Sequence, residues 1–168
     1  SVLDYVKKLD KLGIPAVYDD FITSSQATAD YLMKNHPGVR FYVMGTESFK
    51  TELASSGVIV CDTYSEDIEG VVMGYDTELT YQKLDDVSKL LTLKKDIPYI
   101  AANPDWVCPT EYGYVPDCGS VATMICNATG RNPHFIGKPR PEMPLAAMER
   151  IAKKDPLVNK DTTMVIGD

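Results

Sequence analysis

Apolar residues return every three or four positions at Val2, Tyr5, Val6, Leu9 and Leu12, and Gly13 and Pro15 end the pattern, so the chain is expected to begin with an amphipathic helix. A second helix, capped by Ser24 or Ser25 and carrying Ala27, Tyr31 and Leu32, is expected to stop at His36-Pro37-Gly38. Val39 to Met44 then reads as an apolar strand. Gly45-Thr46 opens a helix with Phe49 and Leu53 on one face, Gly57 closes it, and Val58-Ile59-Val60 is the next strand. Val71-Val72-Met73 and Pro98 to Ala102 predict two more strands. Between them, Tyr81 to Leu93 predicts a helix that turns Leu84, Val87, Leu90 and Leu91 inward.

The passage from Asn103 to Cys118 has neither helical nor strand period and contains three prolines; it is expected to be a long loop, of the kind that usually carries function. Gly119-Ser120 begins a helix from Val121 to Thr129 that Gly130 stops. Phe135-Ile136 is a short strand ending at Gly137 and presenting Lys138. Glu142 to Lys154 predicts a helix burying Leu145, Met148 and Ile151. Thr163 to Ile166 predicts a last strand that ends at Gly167 and presents Asp168. Strands and helices alternate throughout, which argues for an α/β fold with a mostly parallel sheet and helices on its faces. In such sheets ligands bind at the carboxyl ends of the strands, so Lys138 and Asp168 are expected to share one site. A cation beside a carboxylate suits a phosphate held near a divalent metal.

Composition narrows the field. With 168 residues and 44% hydrophobic content, the chain can bury one respectable core or two small ones. A formal charge of -7 and a pI near 4.8 disfavour nucleic-acid backbones as partners. Cys61, Cys108, Cys118 and Cys126 form no Cys-x-x-Cys pair, and with two histidines zinc is poorly supported; reduced thiols are expected. No apolar run reaches the ~18 residues a bilayer requires, and Ser1-Val2-Leu3-Asp4 lacks the regions of a signal peptide, so no membrane association and a cytoplasmic location are expected. The missing initial methionine and the end on a strand's last residue suggest a fragment of a longer protein. His134 has no Ser or Cys nucleophile in a recognisable motif nearby and reads as a packed or edge histidine. Tyr112, Tyr114 and Trp106 read as pocket walls rather than base-stacking platforms.

Several motifs then occur in order: Asp19-Asp20-Phe21-Ile22-Thr23-Ser24-Ser25-Gln26-Ala27-Thr28-Ala29, Val72-Met73-Gly74-Tyr75-Asp76, Ala101-Ala102-Asn103-Pro104-Asp105, Gly119-Ser120, Thr129-Gly130-Arg131 and Gly137-Lys138-Pro139. The set resembles the NagD-like branch of the haloacid dehalogenase superfamily, which includes the 4-nitrophenylphosphatases and sugar-phosphate or pyridoxal-phosphate phosphatases. The resemblance implies an incomplete Rossmann-like core, residues 1–37 and 133–168, carrying an inserted α/β cap at residues 38–132. It implies a Mg²⁺-dependent phosphomonoesterase that hydrolyses a small phosphorylated metabolite through an aspartyl-phosphate intermediate, with 4-nitrophenyl phosphate as an artificial substrate.

By the same resemblance, Lys138 is the catalytic cation that neutralises the phosphoryl oxygens, and Asp168 is a metal ligand. Asn103, Asp105, Trp106 and Glu111, with Val107, Cys108, Pro109 and Thr110 between the last two, are expected to face the substrate's leaving group. Asn103 and Asp105 also suit the alternative of holding a turn through backbone bonds. The nucleophile motif and the phosphate-binding Ser or Thr of the second motif have no match, so this polypeptide alone is expected to be inactive. Cap-mediated dimers occur in similar proteins, which leaves a homodimer open. A reading from another class is a non-catalytic cap that binds small molecules or dimerises.

Overall fold

The computed structural model describes residues 2–166. In chain order its elements are α1 (Val2–Lys11), α2 (Ser24–Asn35), β1 (Arg40–Met44), α3 (Glu47–Ser55), β2 (Ile59–Cys61), β3 (Gly70–Met73) and α4 (Tyr81–Leu93). There follow β4 (Tyr99–Ala101), β5 (Val107–Thr110), β6 (Gly113–Pro116), α5 (Cys118–Thr129), β7 (His134–Phe135) and α6 (Glu142–Ala152). Five strands form one sheet in the order β2-β1-β3-β4-β7, parallel at every pairing. The α/β alternation expected from the sequence is therefore what the chain adopts.

Successive residues of a strand point to opposite faces, and both faces here are covered. Tyr42, Met44, Val71, Met73, Tyr99 and Ala101 lie against Val87, Leu90 and Leu91 of α4 and Ala122 and Ile125 of α5. Phe41, Val43, Val72 and Ile100 lie against Leu32 of α2 and Phe49 and Leu53 of α3. That is why these strands are apolar at every position rather than at alternate ones. A polar pair enters the first layer: Tyr42 donates to Asp86 Oδ2 at 3.0 Å, and Gln82 donates to Oδ1 at 2.9 Å. Burial, and then the Asp86 charge, hold the Tyr42 phenol well above its usual range.

Four local readings are corrected. Thr23, not Ser24 or Ser25, caps α2: its hydroxyl accepts from the Gln26 amide at 3.1 Å, and its own amide donates to the Gln26 side chain at 3.3 Å. The stretch read as a structureless loop contains an antiparallel hairpin, β5 against β6, with Glu111-Tyr112 as a two-residue turn and Gly113 at φ +139°. Pro109 and Pro116 sit within its strands and mask the alternation.

The strand expected at Thr163 to Ile166 is not formed. Strands exist through their ladders, and among the described residues none pairs with this segment, which leaves Met164, Val165 and Ile166 79–88% exposed. Helix α6 forms, but Met143 and Ala146 face the core while Leu145 and Ile151 are 40% and 48% exposed. It packs on α2 and so needs only one narrow apolar stripe.

Candidate active site at the strand ends

All five main strands being parallel, their carboxyl ends lie along one edge. Gly45-Thr46 follows β1, Gly74-Tyr75 follows β3, Ala102-Asn103 follows β4, and Gly137-Lys138 comes just after β7. Strand order reverses between β1 and β3, the place where an open α/β sheet leaves a crevice. Two cavities occupy this edge. One, of about 710 Å³, is bounded by Thr46, Gly74, Tyr75 and Asn103 and roofed by Val2 and Tyr5 of α1. The other, of about 380 Å³, is bounded by Asn103, Asp105, Gly137, Lys138 and Met143. Tyr5, Thr23, Ser24 and Asn103 line both, so the two are compartments of one cleft.

Of the residues singled out from the sequence, Lys138, Asn103 and Asp105 therefore meet at one cavity. Lys138 is exposed, while Gly137 before it is buried and packed tightly. A side chain at Gly137 would meet the Ala102 carbonyl oxygen at 2.9 Å and Asn103 Cα at 3.0 Å, so glycine is what lets the Lys138 loop lie on the end of β4. Asn103 Oδ1 accepts from the Asp105 amide at 3.0 Å, which is the turn-holding arrangement.

Trp106 and Glu111 line neither cavity. Trp106 is 65% exposed at the root of the hairpin, and Glu111 is exposed at its tip. Asp168 lies outside the described residues. Thr23, Ser24 and Tyr75 also line the cleft, although the sequence marks none of them as a site residue; their signal is their place inside the ordered motifs.

The other motifs prove to be fastenings of this edge. Asp76, its side chain 2% exposed, pairs with Lys83 Nζ at 2.8 Å, and the same ammonium donates to the Gly45 and Glu78 carbonyls at 3.0 Å each. One cation thus ties the segment after β3 to the segment after β1. Gly119 lets the start of α5 abut the Asn103–Asp105 turn: a Cβ there would lie 2.2 Å from the Pro104 carbonyl oxygen, and the Gly119 amide donates to the Asp105 carbonyl at 2.8 Å. Cys118 beside it is buried, which pushes its thiol up to about 12 and makes it a packing group rather than a nucleophile. Arg131 donates to the carbonyls of Lys95 at 2.6 Å and Ile97 at 2.9 Å, fixing the approach to β4.

Among the described residues no group of three or more His, Cys, Asp or Glu side chains is placed to hold a metal ion. The Lys138 cavity is lined by one carboxylate residue, Asp105, and by the lysine, which is not the oxygen-rich set that magnesium requires. No helix of the described chain is long and apolar enough to cross a membrane.

Comparison with known proteins agrees with this geometry. Residues 1–59 match the model of a haloacid dehalogenase-like hydrolase family. The acid sugar phosphatase of Staphylococcus aureus is 32% identical over 162 residues, 96% of this chain and 59% of the relative. The chain thus spans about three-fifths of the length of the curated relatives it matches.

Among solved structures, a thermostable 4-nitrophenylphosphatase variant (NPPase) from Geobacillus stearothermophilus superposes with a TM-score of 0.85 at 31% identity, covering 98% of this chain and 63% of that one. The glycerol phosphate phosphatase of Mycobacterium tuberculosis, solved with calcium, gives 0.80 at 30% identity over 89% of this chain and 44% of that one. The same enzyme has also been solved with magnesium. In its ordered motifs, its parallel sheet and these relatives alike, the chain is similar to the haloacid dehalogenase-like hydrolases of the NagD-like, 4-nitrophenylphosphatase branch.

Proposed function

We propose that the chain is part of a phosphomonoesterase acting on a small phosphorylated metabolite, with Lys138 as the cation that binds the phosphoryl oxygens. The observation that carries this is the meeting of Lys138 with the Asn103–Asp105 turn in one cavity at the carboxyl ends of parallel strands. A primary ammonium there offsets negative charge as it builds on the phosphoryl oxygens. The adjoining 710 Å³ compartment has room for a leaving group, and its hydroxyl-bearing lining from Thr23, Ser24, Ser25, Thr46 and Ser48 suits a polyhydroxylated one. The sugar and glycerol phosphatases among the relatives support the same choice.

In this reading residues 38–132 are the cap and the flanking segments belong to the core. The hairpin with Trp106 and Glu111 closes on substrate from the cap side, and Asp168 is the position at which the family resemblance puts a metal ligand. Because the described residues do not make a magnesium site, no step of the reaction is assigned to the metal. The 168 residues contain no Asp-x-Asp pair, so the aspartyl-phosphate route has no nucleophile within them, and this polypeptide alone is expected to give no turnover.

The test is made in an enzyme that contains this chain. Lys138→Ala is expected to lower kcat/KM for 4-nitrophenyl phosphate by about a hundredfold or more with the fold intact. Unchanged turnover in that variant overturns the assignment. The second reading, a binding or dimerisation module, draws support from the hairpin, where Trp106, Tyr112 and Tyr114 are 65–81% exposed. Sedimentation equilibrium of the chain tests its dimerisation half: a dimer dispersed by Tyr112→Ser favours that reading, and a monomer removes dimerisation from it.

A further inference from the structure

The Lys138 loop is held at both ends, and the far end is held by a pair of side chains that no motif contains. On the near side Gly137 is wedged against Ala102 and Asn103. On the far side His134 Nε2 lies 2.9 Å from Glu142 Oε1, so a bond between the last strand and the first residue of α6 closes the loop that has Lys138 midway along it. A carboxylate oxygen can only accept, so Nε2 carries the hydrogen. The imidazole is further held by Tyr31, whose ring it stacks on at 5.1 Å and 22°.

Met143 packs against the core, but among the described residues no other side-chain hydrogen bond is made at the start of α6: Pro141 at its N-cap makes no capping hydrogen bond, and the second oxygen of Glu142 is buried without a partner. Within the loop, the Arg140 amide donates to the Gly137 carbonyl at 3.1 Å and completes the turn that sets the lysine's direction.

We propose that His134 and Glu142 are positioning residues for Lys138, a clasp that fixes where the ammonium stands over the cavity. The inference rests on the reading of Lys138 as a phosphate-binding cation. Neither residue touches the site; the clasp removes freedom from the loop, so that the anion does not have to order it on binding.

Sulfate, a doubly charged tetrahedral anion at neutral pH, is the probe, and the whole 168-residue chain is titrated with it while the amide resonances of Gly137, Lys138 and Arg140 are followed. Four variants are compared. His134→Phe keeps a ring against Tyr31 but loses the bond, Glu142→Ala loses the acceptor, Glu142→Gln keeps it, and Lys138→Ala removes the cation.

His134→Phe and Glu142→Ala are each expected to weaken sulfate binding about fivefold, the size of one lost hydrogen bond, and to speed hydrogen exchange at the Arg140 amide by a similar factor. Exchange at the Ala102 amide, which donates to Met73 in the sheet, stays unchanged. Glu142→Gln is expected to restore binding to within about twofold, a rescue that lost packing would not give. Binding by His134→Phe and Glu142→Ala equal to that of the unaltered chain overturns the clasp alone. No sulfate response at Lys138 in the unaltered chain, or an undiminished one in Lys138→Ala, overturns the phosphate reading and the role of the clasp with it.

Discussion

The sheet body and the two ends of the chain are built from similar residues and fare differently. Val71, Val72, Met73, Leu90 and Ile100 are at most 2% exposed, whereas Leu12, Val17, Met164, Val165 and Ile166 are 62–88% exposed. Apolar content is therefore not what separates a core from an end. The body has ladders and two covering layers that remove its side chains from water, while α1 rests chiefly on the turn at Tyr18–Asp20 and the segment 163–166 has no ladder.

Truncation gives the largest break in that comparison. Leu90→Ala is expected to cost about 3 kcal/mol in urea unfolding, and Ile166→Ala less than about 0.5 kcal/mol. Equal losses would mean that the ends are as tightly packed as the body.

The ion pairs repeat the contrast. Asp76→Ala strands Lys83 in a mostly buried setting and is expected to cost about 3 kcal/mol, well below which the pairing of the two strand-end segments would count for little. Lys34→Ala, which removes a partner from Glu149 where both side chains are at least 65% exposed, is expected to cost under about 0.5 kcal/mol and to cost nothing in high salt.

A further contrast is a pH slope confined to the body. Cys118 is raised from 9.0 to about 12 by burial, so between those values the folded chain retains a proton that the unfolded chain has released. Stability therefore falls as pH rises through that window, by up to about 1.4 kcal/mol per unit from this thiol. Thermal melts of Cys118→Ala above pH 9 should show a shallower decline, and an unaltered slope would leave the alkaline sensitivity to the tyrosines.

The sheet body was the legible part of the sequence because its strands are apolar throughout and its helices repeat at three and four residues. Besides the buried face of α6, three features were not. The hairpin was hidden by Pro109 and Pro116 within its strands; the cap of α2 was shifted by one position to Thr23; and Thr163–Ile166 has strand composition without a neighbour to make it a strand. Composition reports a propensity, and a strand exists only where a neighbour realises it.

At the site, Lys138 could be picked out because it stands just past a strand end, and Asn103 and Asp105 because the family resemblance implies them; strand ends that meet along one edge bring the three to one cavity. The clasp of His134 and Glu142 could not, since an i, i+8 pair across a turn belongs to no regular period. The expectation of an edge histidine was nevertheless the correct starting point for it.

The abutment at Gly119 has a consequence for how the molecule can change over time. The root of the hairpin is bolted to α5 through the Asp105 and Trp106 carbonyls, while the far turn at Glu111-Tyr112 is exposed to solvent. Mutational drift at that outer turn leaves the bolted root and the sheet beneath undisturbed, so the tip can diversify from one lineage to the next while the root is barred from accepting even a methyl group.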